Sequence, residues 1–173
     1  MSIPASAFAG GPGDDVDLRA LALAYLAAHN TVSLATLGPD GPWAATVFYA
    51  SVEFDLYFLS EPKTRHAQNV LGNPTIAGTI NEDYHDWRQI KGIQLTGRCV
   101  ELAEPLEIQA GLDAYVAKYP FVGQFLAPGR LLEGMAVAGR PLNVRLYQVT
   151  PTQVLYLDNE RGFSNRQEIP LTA

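Results

Sequence analysis

Short runs in which hydrophobic and polar residues alternate recur along the chain, and each run predicts a β-strand. The first two strands are predicted at Thr31–Leu37 and Trp43–Ala50, on either side of the turn-forming sequence Gly-Pro-Asp-Gly-Pro. A third strand is predicted at Ser51–Leu59, and a fourth runs from Asn73-Pro74 through Ile80. The close succession of these runs predicts antiparallel neighbours.

The longest strand is predicted at Ile90–Leu102, and a closing hairpin is predicted from Val144–Thr150 and Gln153–Leu157 around Thr150-Pro151. The two faces of the longest strand differ in polarity, with Ile93, Leu95 and Cys99 on one and Gln94, Thr96 and Arg98 on the other. Six or more short strands with helices at their ends predict a mainly β fold, a small β-barrel with flanking helices.

Helical patterns occupy Asp14–His29, Pro62 to about Leu71, and Glu104–Tyr119. In the first helix one face is predicted to hold Leu18, Leu21, Tyr25 and Ala28, with Asp14 or Asp15 as its N-cap. The Gly- and Pro-rich stretch Pro120–Arg140 is predicted to contain one or two short helices. We divide the chain into a flexible arm (1–13), one domain (14–157) and a polar C-terminal tail (158–173).

Composition and charge narrow the possible partners. Charged residues make up only 17% of the chain and hydrophobic residues 47%, so part of the surface is expected to be covered, most simply by a second copy. A formal net charge of −6 argues against nucleic acid or a membrane surface as a partner. The single cysteine, Cys99, has no partner for an internal disulfide, and a cytoplasmic location is expected.

An unusual charge distribution follows the third predicted strand. Lys63, Thr64, Arg65 and His66 fall in the first turn predicted for the next helix, where cations oppose the macrodipole. No Asp or Glu occurs between Glu61 and Glu82, so the local excess of positive charge favours a bound anion. Hydroxyls from Ser60 and Thr64 and the free N–H groups of the first turn would complete a phosphate site. A solvated basic helix face is the structural alternative.

Other possible sites carry weaker signals. Two carboxylates and an imidazole lie close together in the loop Asp83–Asp86, but a single loop rarely supplies a whole metal site, and no metal is predicted. Cys99 lies inside a strand and is interpreted as a packing residue. Trp43 and Trp87 are interpreted as packing or interface residues.

Four motifs in order resemble the flavin-binding split barrels of the pyridoxamine 5′-phosphate oxidase-like family, most closely a small bacterial group of uncharacterised proteins. The motifs are the strand Trp43–Tyr49, Leu59-Ser60 followed by Lys63-Thr64-Arg65-His66-Ala67-Gln68, Asn73-Pro74-Thr75-Ile76-Ala77-Gly78, and Ile90-Lys91-Gly92-Ile93-Gln94-Leu95-Thr96-Gly97. The resemblance covers residues 30–102 and extends to Val144–Leu157 as the last strands.

The resemblance implies a six-stranded antiparallel split barrel that forms a homodimer, with FMN in each of two clefts between the subunits. The cofactor-binding positions that it implies are Ala45, Thr46 and Val47 along the flavin ring, Leu59 and Ser60 beside the ribityl chain or the edge of the ring, Lys63, Thr64, Arg65 and His66 at the phosphate, and Lys91 and Gln94 from the partner chain. At the position where the family usually has a glutamine that contacts the flavin ring, this chain has Gly92, two residues before Gln94.

The C-terminal segment departs from true pyridoxamine phosphate oxidases, whose last residues hold the substrate. Here the segment 158–167 contains neither Trp nor His, so oxidation of a B6 vitamer is not predicted. The resemblance therefore implies an FMN-dependent oxidoreductase acting on an unidentified small substrate, with no catalytic residue assigned. The alternatives are a non-catalytic flavin- or haem-binding module of the same fold and an F420-dependent reductase.

Overall fold

The computed structural model describes residues 17–123, 136–137, 140–141 and 143–172. The arm predicted for residues 1–13 lies outside these ranges, as does much of the stretch Pro120–Arg140. Within the described ranges, no helix is long and apolar enough to cross a membrane.

Antiparallel strands form the centre of the described structure. Their bounds are β1 Thr31–Gly38, β2 Gly41–Phe48, β3 Ala50–Val52, β4 Asp55–Ser60, β5 Thr75–Asn81, β6 Lys91–Glu101, β7 Ala136–Val137, β8 Arg140–Pro141, β9 Arg145–Asp158 and β10 Arg166–Glu168. The main sheet has the order β2-β1-β5-β6-β9-β4-β3, with β10 added to β9, and β7 pairs separately with β8.

The six longest strands, β1, β2, β4, β5, β6 and β9, form the predicted split barrel. Its sheet curls until β2, at one edge, touches β4 without joining it by strand hydrogen bonds. Strict alternation of buried and exposed residues in β1 and β5 directs one face of the sheet inwards. The fold class predicted from the sequence is thus confirmed.

In the part of the chain that the structure describes, four α-helices flank the sheet. They are α1 Leu18–Ala28, α2 Arg65–Gly72, α3 Pro105–Lys118 and α4 Pro120–Gly123. Helices α1 and α2 pack on the main core, while α3 covers the outside of β4 and β9. The buried face of α1 centres on Ala22, Tyr25 and Leu26, so the prediction that placed Ala28 on this face is wrong. Its cap is Asp17, whose carboxylate accepts from the N–H of Ala20 at 3.0 Å.

The segment predicted as one strand at Ser51–Leu59 is a hairpin of β3 and β4. Val52 pairs with Asp55, and the turn between them places Glu53 at φ 51°. Phe54, the other turn residue, is buried in the core, so the hydrophobic pattern continues through the turn and hides it. No Gly, Pro, Asn or Asp marks this turn in the sequence.

The closing hairpin predicted around Thr150-Pro151 is absent, because β9 runs without interruption through both residues. Pro151 lies opposite Gly97 at a register shift in the β6–β9 pairing, the kind of irregularity that tolerates a proline inside a sheet. A Cβ on Gly97 would lie only 2.4 Å from the carbonyl oxygen of Thr150. The close approach of the two strands here therefore requires glycine.

The C-terminal segment contributes to the sheet and to the core. Strand β10 pairs with Leu155–Leu157 of β9, and the N–H of Ile169 donates to the carbonyl of Val154 at 2.9 Å. The Ile169 side chain is only 2% exposed and belongs to the main core. The C-terminal segment is polar in composition, yet the barrel buries its residue Ile169.

Candidate functional site

The predicted anion site lies where β4 ends at Ser60 and α2 begins at Arg65. The helix starts three residues later than the sequence pattern predicts, so Lys63 precedes it and Thr64 is its N-cap. Of the predicted cations, only Arg65 and His66 belong to the first turn of the helix.

Three polar side chains meet at this junction. The Ser60 Oγ lies 2.7 Å from Nε2 of His66 and 3.1 Å from Oγ1 of Thr64, and the latter two atoms are 3.2 Å apart. The Thr64 hydroxyl donates to the carbonyl of Glu61 at 2.9 Å, so it can only accept from the other two groups. Burial lowers the pKa of His66, which favours the neutral imidazole at pH 7.

The N-terminus of α2 keeps its first-turn amides available for an anion. The Thr64 side chain makes no capping hydrogen bond to the helix, and its hydroxyl lies within hydrogen-bond distance of Glu61, Ser60 and His66 instead. The helix also has no acidic residue in its first turn. Uncapped N–H groups at the positive end of a helix dipole, beside an arginine, have the donor chemistry that a phosphate requires.

The two predicted phosphate-binding cations differ in how firmly they are held. One terminal nitrogen of Arg65 donates to the carbonyl of Asp40 at 3.0 Å, and the guanidinium carbon lies 4.6 Å from the centre of the Trp43 ring. Lys63 is 84% exposed and pairs with Glu61 at 2.7 Å. Arg65 is thus fixed beside the helix N-terminus, whereas Lys63 extends into solvent.

The predicted residues of β2 and β4 point in different directions. Val47 packs against the main core, and Ala45 pairs across the strands with buried Leu34. Thr46 faces outwards, with its hydroxyl 3.2 Å from that of Ser33. Leu59 packs against hydrophobic clusters that include residues of α3. Successive side chains of a strand alternate in direction, and the ring contacts that the resemblance implies for Ala45, Thr46 and Val47 are made by the backbone.

Lys91 lies far along the sheet from Trp43 and Arg65. Strand pairing places Trp43, Thr36, Ile76 and Gly97 in one row across the sheet. Lys91 precedes Gly97 by six residues of β6, about 20 Å of extended chain. Its ammonium pairs with Glu160 at 2.6 Å, and Gln94 lies between the two positions on the outer face. A single copy of the chain therefore does not bring Lys91 to the predicted anion site, the corner between the end of β4 at Ser60 and the start of α2 at Arg65.

The outer face of the barrel carries a shallow groove of about 430 Å³. A row of outward-facing residues, Ala44, Ala35, Ala77, Thr96 and Gln153, crosses it from strand to strand. All of the residues that line the groove are uncharged. The sequence signal for this surface is the lack of charge at the outward positions of β1 and β2, a feature that belongs to none of the recognised motifs.

In the acidic loop before β6, the carboxylate of Asp86 is paired with nearby Arg88. Arg88 donates from Nε to both carboxylate oxygens of Asp86 at 3.0 Å. Among residues 17–123 and 143–172, no three His, Cys, Asp or Glu side chains come together as a potential metal site.

The lowered pKa of His66 predicts a pH effect on stability. Between its ordinary pKa near 6.5 and its lower value in the fold, the unfolded chain binds more protons than the folded one. The free energy of unfolding should therefore decrease as pH falls from about 7. Urea denaturation between pH 5 and pH 8 should show a shallower decrease for His66→Gln. Parallel pH profiles for the two proteins would contradict this assignment.

Comparisons with known proteins support the fold and its family. A family model described as pyridoxamine 5′-phosphate oxidase matches residues 18–158. A UPF0306 protein from Photorhabdus laumondii is 38% identical over 144 residues, which cover 82% of this chain and 88% of that protein.

Solved structures with the same fold are more distant in sequence. A putative pyridoxamine 5′-phosphate oxidase from Listeria innocua superposes with a TM-score of 0.60 at 15% identity, covering 82% of this chain and 99% of that one. The haem storage protein HutZ from Vibrio cholerae gives a TM-score of 0.62 at 15% identity, covering 80% and 94% respectively.

Proposed function

This chain belongs to the pyridoxamine 5′-phosphate oxidase family, and on that premise we propose that it binds FMN and works as an oxidoreductase on a small substrate. The observation that carries the proposal is the uncapped N-terminus of α2 with Arg65 fixed beside it. When bound, FMN would supply the hydride or electron transfer. The chain itself offers no evident general acid or base at this corner, since Ser60, Thr64 and His66 bind one another.

The residues at the corner fit a phosphate group in charge and in donor chemistry. Arg65 would contribute the fixed charge, and the first-turn amides of α2 would contribute aligned donors. While Ser60 holds Nε2, the N–H that His66 could offer a phosphate is the one on Nδ1, which is present in the neutral tautomer whose Nε2 accepts from Ser60 and in the protonated ring. The corner therefore has one permanent cation and one adaptable group.

A homodimer is part of this proposal. Lys91 and Gln94 would reach a cofactor bound at the corner of the other subunit, because a single chain keeps Lys91 at a distance from its own corner. The uncharged outer groove supports a sheet-to-sheet contact between the copies, since its row of alanines allows two sheets to approach closely. Edge strand β2, which has no charged residue between Gly41 and Phe48, would also need a cover.

A non-catalytic haem module is the main competing function, because a structural neighbour is a haem storage protein. The usual donors for haem iron are largely engaged in the described ranges. Both ring nitrogens of His29 have partners, at 2.7 Å and 2.8 Å, and burial raises the pKa of the Cys99 thiol to about 12. Exposed His85 is left as a candidate axial ligand.

The absorption spectrum of the freshly purified protein distinguishes the proposed FMN-dependent oxidoreductase from a non-catalytic flavin or haem module and from an F420-dependent reductase. A flavin spectrum that shifts on addition of NAD(P)H supports the proposed oxidoreductase, and a flavin spectrum unchanged by reductants supports a storage or sensor role. A Soret band that His85→Ala abolishes would favour haem, and a deazaflavin spectrum would favour F420. A colourless protein that takes up no FMN on titration refutes the proposed function.

Loss of Arg65 should weaken FMN binding more than loss of Lys63. We expect Arg65→Ala to cost about 1–3 kcal/mol of binding free energy, the usual range for a charged hydrogen bond. Lys63→Ala should cost less, about 0–1 kcal/mol, because the Lys63 ammonium already pairs with Glu61 and extends into water and salt with 84% of its side chain exposed. Arg88→Ala, which removes an exposed arginine already paired with Asp86, serves as the matched control and should bind normally. Equal affinities for all three variants would place the phosphate elsewhere.

A further inference from the structure

Trp43 holds Arg65 from one side while the backbone of the β1–β2 turn holds it from the other. The guanidinium carbon lies 4.6 Å from the centre of the Trp43 ring, and one terminal nitrogen donates to the carbonyl of Asp40 at 3.0 Å. A long arginine side chain on a surface normally samples several rotamers, and fixing it costs up to about 2 kcal/mol of entropy. The contacts with Trp43 and with the carbonyl of Asp40 already order the Arg65 side chain in the free protein, so ligand binding does not have to order it.

Contacts other than the stacking itself fix the place of Trp43 relative to α2. Pairing of Trp43 with Thr36 sets its place in β2, and the Thr36 hydroxyl accepts from the Asn69 side chain of α2 at 3.0 Å. Gly38, in the same hairpin, lies so close to Asn69 that a Cβ there would clash with it. The hairpin and the start of α2 are thus locked together, and the stacking of Arg65 on Trp43 is a consequence of that contact.

We propose that Trp43 is a positioning residue which, through Arg65, makes the corner selective for a phosphorylated over an unphosphorylated ligand. This inference rests on the proposed function, because it takes the phosphate of FMN as the group that Arg65 meets. Arg65 is itself exposed, so its guanidinium remains accessible to an anion while it stacks on Trp43. An indole ring is the best aromatic partner for a cation, and at an exposed site such contacts contribute between about 0.5 and 1 kcal/mol.

The test compares FMN with riboflavin, which differ only in the phosphate. We expect Trp43→Leu to weaken binding of FMN by about two- to fivefold, the fold-change that corresponds to an exposed cation–π contact, and to leave riboflavin binding unchanged. Trp43→Phe, which keeps an aromatic face, should recover part of the loss. In an Arg65→Ala background, Trp43→Leu should have no further effect on FMN affinity, because the group that it positions is gone.

The outcomes separate this inference from the proposed function. If the unaltered protein binds no FMN, the proposed function fails and this inference fails with it. If FMN binds and Arg65→Ala weakens it, but Trp43→Leu leaves FMN affinity intact, only the positioning role fails. Equal losses for FMN and riboflavin in Trp43→Leu would overturn it as well, since they would show that Trp43 contacts the flavin ring or supports the fold generally.

Discussion

An Ala77→Arg variant is expected to be monomeric and to lose FMN binding almost completely. Ala77 lies at the centre of the outer groove, between Ala35 of β1 and Thr96 of β6. An arginine there would place an unpaired charge in the middle of an uncharged sheet-to-sheet contact, at a cost of several kcal/mol. Because the proposed cofactor site needs Lys91 and Gln94 from the second copy, dissociation removes part of each site. Sedimentation and FMN titration measure both effects on one sample.

The matched control for this variant is Leu106→Arg, which adds the same charge at an 86% exposed position of α3. It should remain dimeric and bind FMN with normal affinity. A dimeric, FMN-binding Ala77→Arg protein would show that the groove is not the subunit contact. A monomeric Ala77→Arg protein that still binds FMN with full affinity would show that one chain forms the whole site.

The second large effect is expected from Ile169→Ala, in the segment that the sequence presents as a polar tail. Ile169 is 2% exposed, and its truncation should lower the free energy of unfolding by about 2–5 kcal/mol, as for other buried aliphatic residues cut to alanine. Native domains of this size have only about 5–15 kcal/mol in total. Urea denaturation at a fixed protein concentration measures the change, since any dimer would make stability depend on concentration.

Leu106→Ala is the control for this prediction, because it truncates a similar aliphatic side chain at a position that is exposed to solvent. We expect its midpoint in urea to stay close to that of the unaltered protein. An Ile169→Ala protein as stable as Leu106→Ala would mean that the C-terminal segment docks weakly and contributes little to the folded state.

Strand positions followed from the sequence wherever one face of a strand is buried and the other is wet. In β1, β5 and β6 the alternation of residue types matches the alternation of burial. The sequence failed where a local signal competed with long-range pairing. Pro151 looks like a turn residue, yet β9 continues because Gly97 gives it room at the bulge. At Phe54 a core residue occupies a turn and extends the pattern through it.

The residue types of the candidate site were also available in the sequence, but their arrangement was not. The excess of cations after Ser60 identified the corner correctly as the end of a strand and the start of a helix. Which cation is fixed depends on contacts from elsewhere: Arg65 stacks on Trp43 of β2, while nearby Lys63 has only Glu61. No local pattern distinguishes these two side chains.

The sequence by itself determined the family, the split-barrel class and the position of the cation-rich segment for which we propose anion binding. Its periodicity and the order of its motifs report short-range preferences that survive in the fold. Only the tertiary structure decided that Arg65 is held by Trp43, that Lys91 lies away from its own corner, and that Ile169 enters the core. Each of these depends on contacts between residues far apart in the chain, whose free energy comes from burial and pairing that exist only once the sheet has closed.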